Sequence, residues 1–426
     1  MTYAEKLIEF IKRSPCAYHA VQTVREELIS HGFTELYEGD SWTLADGGKY
    51  FVCRNGTSVI AFVYSDSAWG FNIVASHSDT PAFRVKPVEQ SAGPYCKLWV
   101  EKYGGPILNS WFDRPLSVAG RIVVRTPEGV ECRLVNIDRD LVCIPSLAIH
   151  MNRSVNEGVK INPAKEMLPL YSLGGGKSDL LKDIADTAEV DWQSIIGHDL
   201  FLYNRENGRV FGKEGELLLC PRLDDLGCAF TSLSAFLSVD GASGSMPVLA
   251  VFDNEEVGSD TKQGAASTFL YDTLKRAVAD EQRYLRMVDS GMMVSADNAH
   301  ARHPNYSEMS DVENAPILGG GIVVKYNANQ KYATDGLSAA VFGEICNRAG
   351  VPVQNYCNRA DLPGGSTLGS ISNTRVSVST VDIGIAQLAM HSSNETAGVR
   401  DIEYMVKALA QFYKTAIRRE GERVIF

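Results

Sequence analysis

The run Pro247-Val248-Leu249-Ala250-Val251-Phe252, closed at once by Asp253-Asn254-Glu255-Glu256-Val257-Gly258, decides how the chain is read. Six apolar residues bounded by a polar turn are too few for an ordinary helix and read as a strand. Its surroundings alternate. A helix-like stretch over 225–237 precedes it, and a helix over about 265–281 leads to a strand over 284–288. A helix over about 335–349 leads to strand-like Val351-Pro352-Val353-Gln354, and a strand over 375–384 is followed by a final helix over 401–418. Strand and helix in turn predict an α/β fold: a three-layer α/β/α domain with a mixed, largely parallel sheet covered by helices on both faces. The start of the chain joins that domain. Leu7, Ile8, Phe10 and Ile11, then Val21, Val24, Leu28 and Ile29, repeat at helical spacing, with a break at Arg13-Ser14-Pro15 and a stop at His31-Gly32. Strands follow at 50–52, 58–63 and 71–76. Between them and the second half the texture changes to short alternating strands such as 116–124, many Gly and Pro breaks, and a loose tract, Leu173-Gly174-Gly175-Gly176-Lys177-Ser178, read as a loop. The division predicted is an α/β domain in two parts, 1–87 and 221–426, with a mostly β domain over 88–220 inserted between them.

Composition narrows the class. Of 426 residues, 45% are hydrophobic and 22% charged, which is globular and excludes a disordered or fibrous chain. Forty-one Lys and Arg stand against 52 Asp and Glu, and a net charge of −11 argues against nucleic acid as a partner. No apolar run approaches the roughly 18 residues that a bilayer requires, so no membrane partner is expected. Residues 1–10 lack a secretory apolar region, and nine scattered cysteines contain no CxxC pair. Both point to a cytoplasmic protein with reduced thiols.

In open α/β sheets ligands gather beyond the carboxyl ends of the strands, and five places there offer carboxylates or histidines. His77 and Asp79 follow the strand over 71–76. Asp224 and Asp225 open a helix, where N-capping is the plainer reading. Asp253, Glu255 and Glu256 follow the decisive run, where three acids beside apolar residues need a neutralising cation. Asp289 follows the strand expected at 284–288, with Asp297, His300 and His303 shortly after. His391 lies beside an apolar segment. Histidines and carboxylates without cysteine suit zinc, manganese or cobalt with open coordination positions. Two such ions sharing an Asp, with a free Glu as base, suit hydrolysis of an amide bond.

The segments Ser76-His77-Ser78-Asp79-Thr80-Pro81, Arg222-Leu223-Asp224-Asp225-Leu226, Phe252 to Ser259, Asp297 to Tyr306 and Leu388-Ala389-Met390-His391-Ser392 together resemble the M18 metallo-aminopeptidases, the aspartyl aminopeptidases and their relatives, in the same order and over nearly the whole chain. The resemblance implies two divalent metal ions, most simply zinc, with cobalt or manganese as alternatives. His77 and Asp297 would hold one, Glu256 and His391 the other, and Asp224 both. It makes Asp79 the group that orients His77, and Glu255 the general base that takes a proton from the attacking water and passes it to the leaving amine. It implies that the inserted domain builds dimers and that dimers build a tetrahedral dodecamer. His150, in Ile144-Pro145-Ser146-Leu147-Ala148-Ile149-His150, matches a histidine that reaches the neighbouring subunit's site, and Lys325 matches a lysine that selects acidic N-terminal residues. The expected function is therefore a peptide exopeptidase with a preference for N-terminal Asp or Glu. Near Lys325 the stretch Arg359-Ala360-Asp361-Leu362-Pro363-Gly364 departs from the acid-selective pattern, which keeps open an aminopeptidase for neutral or hydrophobic residues. Two other readings stand beside it: a dinuclear deacylase or dipeptidase, and a catalytically silent scaffold. Glu255 weighs against the scaffold, which has no use for an uncoordinated base.

Overall fold

A computed structural model describes residues 1–87, 94–174, 179–239 and 244–426. Among these, nine strands form one sheet in the order Thr34–Leu36, Lys49–Arg54, Ser58–Val63, Ser245–Phe252, Gly70–His77, Met292–Ala296, Ser379–Gly384, Ile322–Tyr326 and Val353–Cys357. Its centre is parallel: Ser245–Phe252 pairs in parallel with Gly70–His77, which pairs in parallel with Met292–Ala296, which does the same with Ser379–Gly384. Ser58–Val63 and Ile322–Tyr326 run antiparallel to this centre, so the sheet is mixed, as expected. The decisive run shows why it is a strand. Val248, Ala250 and Phe252 enter one apolar cluster with Phe269, Leu274 and Tyr284 from helices on one face, while Leu249 and Val251 enter another with Leu409 and Phe412 from the last helix on the other. A strand with period two and both faces covered reads as an unbroken apolar run.

The helices Tyr3–Arg13, Ala17–Ser30, Leu223–Leu237, Gly336–Arg348 and Val399–Lys414 lie where the sequence suggests, the first with a Thr2–Glu5 capping box. Two expectations are corrected. Residues 284–288 are not a strand but part of the helix Glu281–Asp289, capped by Asp280, with Tyr284 and Met287 buried one turn apart. The strand comes later, at Met292–Ala296, and all five of its residues are buried. The strand expected over 375–384 is confined to Ser379–Gly384, because the short helix Leu368–Ser372 and its exit turn occupy the approach.

A second, antiparallel sheet orders Val100–Tyr103, Ala82–Val85, Ile195–Asn204, Leu116–Thr126 and Gly129–Asn136 around its own apolar core. It takes Ala82–Val85 from residues that the sequence reading kept with the first segment. The start expected for the inserted domain at 88, and Gly175 to Ser178 of the loose tract, lie outside the described residues. A third sheet, Arg209–Phe211, Leu217–Cys220, Glu395–Gly398, Ala386–Leu388 and Ala299–His300, knits the return from the second layer to the C-terminal part. No helix among the described residues is long and apolar enough to cross a membrane.

Candidate metal centre

Parallel pairing fixes the geometry of the site. Phe252 stands opposite His77 in the sheet, so His77 at the end of one strand and Asp253 to Glu256 beyond the next leave the same edge. Asp297 follows Ala296 of the neighbouring strand at that edge. Gly384 lets the next strand pass close by, since a Cβ there would sit 2.2 Å from the Asp297 carbonyl oxygen. Asp224 and Asp225 occupy the first turn of Leu223–Leu237 in non-helical conformations, both buried. They do not cap that helix as plain N-cap residues, which corrects the plainer reading. His391 comes from the loop between Ala386–Leu388 and Glu395–Gly398, with φ of 69°.

These side chains converge. His77 Nε2 lies 3.8 Å from Asp224 Oδ1, 3.9 Å from Asp297 Oδ1 and 4.0 Å from Asp225 Oδ2. His391 Nε2 lies 3.4 Å from Asp224 Oδ2 and 3.5 Å from Glu256 Oε2. His77, Glu255 and Glu256 also offer ligand atoms within one metal-sized cluster. Most of these separations are too long for good hydrogen bonds. Those of His391 match donors sharing one tetrahedral cation, since ligands about 2.1 Å from an ion stand about 3.4 Å apart, and those of His77 are a few tenths of an ångström longer. Asp224 Oδ1 and Asp225 Oδ1 are buried and accept no hydrogen bond. Orphaned carboxylate oxygens beside histidine nitrogens are what a cation would satisfy, and the oxygen and nitrogen donors fit zinc.

A surrounding set of groups orients the centre. Asp79 Oδ1 lies 3.3 Å from His77 Nδ1 and accepts the Glu255 N–H at 3.1 Å, while Oδ2 accepts the Glu256 N–H at 3.1 Å and the Tyr103 hydroxyl at 2.7 Å. The sequence reading gave no role to Glu395, whose carboxylate accepts the backbone N–H of Asp224 at 3.0 Å and of His391 at 2.7 Å. It gave Asp225 only a capping role, whereas its carboxylate accepts the His77 N–H at 3.2 Å, and it gave none to Tyr103 and Gly105. Lys325 is buried, and its Nζ donates to the Asp297 carbonyl at 2.8 Å and lies 3.4 Å from Asp297 Oδ2.

The charges are strongly perturbed. Burial, with Asp297, Asp79 and Asp224 nearby, pushes the Glu255 carboxyl up to about 8. Burial and Asp224 push Glu256 well above the ordinary range, and burial with Asp297 and Asp224 does the same for Asp225. Burial opposes a charge on His77, but Asp225, Asp297 and Asp79 hold its pKa well above the usual value. Burial likewise opposes a charge on His391, and Asp224 and Glu395 carry it up to about 9. Such a cluster of buried acids without a cation is costly, and titratable groups perturbed in this way mark functional sites.

The remaining expected residues lie elsewhere. His150 is exposed in the short turn Ile149–Met151 and is not among the clustered ligand residues. Asp289 ends a helix and does not leave the functional edge, a consequence of the helix at Glu281–Asp289. His303 packs on Tyr306 in a loop, whereas His300, against Tyr356, feels the charges of Asp224, Asp297, Lys325 and His391. A cavity of about 360 Å³ between the second sheet and the first domain touches Asp79, Asp224 and Glu395 from behind and is not lined by His77, Glu255, Glu256, Asp297 or His391.

Comparison with known proteins identifies the family. The family model described as aminopeptidase I zinc metalloprotease (M18) matches residues 10–413. A probable M18 family aminopeptidase 2 of Clostridium acetobutylicum is 44% identical over 97% of this chain and 99% of its own length. Its counterpart in Pseudomonas entomophila is 38% identical over 96% and 97%. Among solved structures, a chain of the Ape4 and Nbr1 complex superposes with a TM-score of 0.93 at 37% identity, over 97% of this chain and 85% of its own. The mApe1 dodecamer of S. cerevisiae superposes with a TM-score of 0.85 at 27% identity, over 97% and 96%.

Proposed function

The chain belongs to the M18 family of zinc metallo-aminopeptidases, and from that premise we propose that it removes single N-terminal residues from peptides at a two-ion centre. One ion would be held by His77 and Asp297, the second by Glu256 and His391, with Asp224 between them. The observation that carries this reading is the single Asp224 carboxylate, which turns one oxygen to His77 and the other to His391. Zinc is the simplest occupant, with cobalt or manganese as alternatives of the same donor chemistry.

Bound there, the ions would supply Lewis acidity to the scissile carbonyl and charge to balance the developing oxyanion. Glu255 does the proton work. It abstracts a proton from the attacking water and delivers it to the leaving amine. Asp79 keeps Glu255 and Glu256 at fixed attitudes through their backbone N–H groups and holds the His77 ring so that Nε2 faces the centre. Zinc analysis with a panel of N-terminal residues tests the reading: two ions per chain, and no turnover once the substrate's amine is blocked. Turnover of the blocked substrates would favour a deacylase.

For the N-terminal side chain we favour Asp and Glu, with Lys325, a buried cation beside Asp297, as their partner. A second reading, neutral or hydrophobic residues, is favoured by the bonds that Lys325 Nζ already makes to Asp297. Leu-p-nitroanilide outrunning the Asp and Glu analogues would select the second.

We also infer a tetrahedral dodecamer of dimers in a reducing cytoplasm, with residues 88–220 forming the dimer contact and His150 completing the partner's site. In support, none of the nine cysteines is joined in a disulfide, and Leu147, Ile149, Met151, Val155 and Val159 are exposed around His150. Light scattering reads the mass. His150→Ala should lower activity at unchanged mass.

A further inference from the structure

The second sheet does more than flank the centre. Its strand Val100–Tyr103 pairs with Ala82–Val85, with Tyr103 opposite Ala82. Because Ala82 follows Asp79 by three residues, that register delivers the Tyr103 side chain to the Asp79 carboxylate. The hydroxyl donates to Asp79 Oδ2 at 2.7 Å and accepts from Asn254 Nδ2 at 2.8 Å, and the ring stands edge-on to Phe201 at 5.5 Å. Asn254 is itself held by Thr261 and Gln263, each at 2.8 Å. The next two residues reach the other half of the centre. Gly104 has φ of +68°, and a Cβ there would sit 3.1 Å from Glu256 Cβ. The Gly105 carbonyl lies 3.1 Å from His391 Nδ1, and the Ile107 N–H donates to the His391 carbonyl at 2.9 Å.

We propose that the segment Tyr103-Gly104-Gly105, extending from the second sheet, positions both halves of the metal centre. Tyr103 fixes Asp79, and through it His77 and the turn that carries Glu255 and Glu256. Gly104 admits Glu256 at close range. The Gly105 carbonyl takes the Nδ1–H of His391 and so leaves its Nε2 lone pair directed at Asp224 and Glu256. Tyr103 touches no substrate in this account and acts as a positioning residue. The inference rests on the metallo-aminopeptidase reading only for its kinetic readout.

The test compares Tyr103→Phe with Tyr171→Phe. Tyr171 also donates its hydroxyl to an Asp, Asp183 at 2.9 Å, but in the second layer away from the centre. Zinc affinity is measured by competition with a chromophoric chelator, alongside thermal midpoint, kcat and KM. Tyr103→Phe should weaken zinc retention and kcat by about 10–100-fold each, the usual cost of losing a partner that orients a ligand, with KM within about twofold and the zinc-free protein still folding in one cooperative transition. Tyr171→Phe should leave zinc affinity and kcat at wild-type values. Gly104→Ala should weaken zinc retention as well, and serves if Tyr103→Phe fails to fold. Wild-type zinc affinity in folded Tyr103→Phe, or equal losses in the two Tyr variants, would overturn the proposal. A wild-type chain that binds zinc but cleaves no peptide N-terminus would sink the functional reading alone, and the zinc titrations would still decide this one.

Discussion

Glu255 and Glu256 are neighbours with different surroundings. Asn254, held at φ of 63°, throws the chain into the turn Glu255–Val257, and Asp79 gathers both N–H groups. Glu256 Oε2 then faces His391, which leaves Glu255 as the base of the proposed mechanism. Glu255→Gln keeps size and hydrogen bonding but removes the base, so kcat should fall by at least about 10²–10⁴-fold with zinc content retained. Glu256→Gln should instead lower zinc content. Activity near wild type in Glu255→Gln would leave the proton transfer without an agent. Lys325→Met separates the two readings of that residue. If the amine binds substrate carboxylates, KM should rise for Asp and Glu substrates alone. If it holds Asp297 in place, kcat and zinc retention should fall for every substrate.

At the scale of elements, what was legible in the sequence depended on how locally each feature is encoded. The strands Ser58–Val63, Gly70–His77 and Ser245–Phe252 announced themselves because both faces are covered, and His77, Asp79, Glu255 and Glu256 followed by adjacency, each within four residues of a strand end, whereas Asp297 follows Met292–Ala296, a strand the sequence did not reveal. The helix Glu281–Asp289 was misread because Tyr284-Leu285-Arg286-Met287-Val288 is too short a stretch for periodicity to separate helix from strand. Glu395 was visible as a residue but not as a partner of Asp224 and His391, and a backbone carbonyl such as that of Gly105 has no signature in sequence at all. The last helix shows another long-range tie. Asn72, buried in the strand Gly70–His77, donates Nδ2 to the Phe412 and Thr415 carbonyls at 2.8 Å each. Each carbonyl also accepts a backbone N–H at 3.1 Å, Phe412 from Thr415 and Thr415 from Ile417, so the amide adds a second bond to each at the end of Val399–Lys414, worth about 0.5–1.5 kcal/mol apiece. Asn72→Ala should therefore cost about 1–3 kcal/mol, read as a lower urea midpoint at unchanged zinc content. An unchanged midpoint would show that water replaces the amide.

For the molecule as a whole, the metal centre is a store of unfavourable charge. The acids of Asp225, Glu255 and Glu256 have folded pKa values raised above their unfolded ones, Glu255 to about 8. Without a cation, the folded chain therefore holds more protons than the unfolded chain as pH rises from about 4 to about 8, so each of these acids makes stability fall across that window. His77 and His391 act in the same direction. Their folded values are also raised, that of His391 to about 9, so the stability they lend is full below about 6.5 and is lost as pH climbs through the folded value. Asp297 is depressed chiefly by Lys325 against the effect of burial, and its contribution disappears only under acid conditions outside this range. Zinc would take the place of those protons, and its binding strengthens as they leave. The chelator-treated protein should accordingly lose thermal stability from pH 5 to pH 9, while the gap between zinc-loaded and zinc-free midpoints widens over the same range. Parallel curves for the two forms would mean that the ions sit away from these acids, and the two-ion centre would have to be sought elsewhere in the chain.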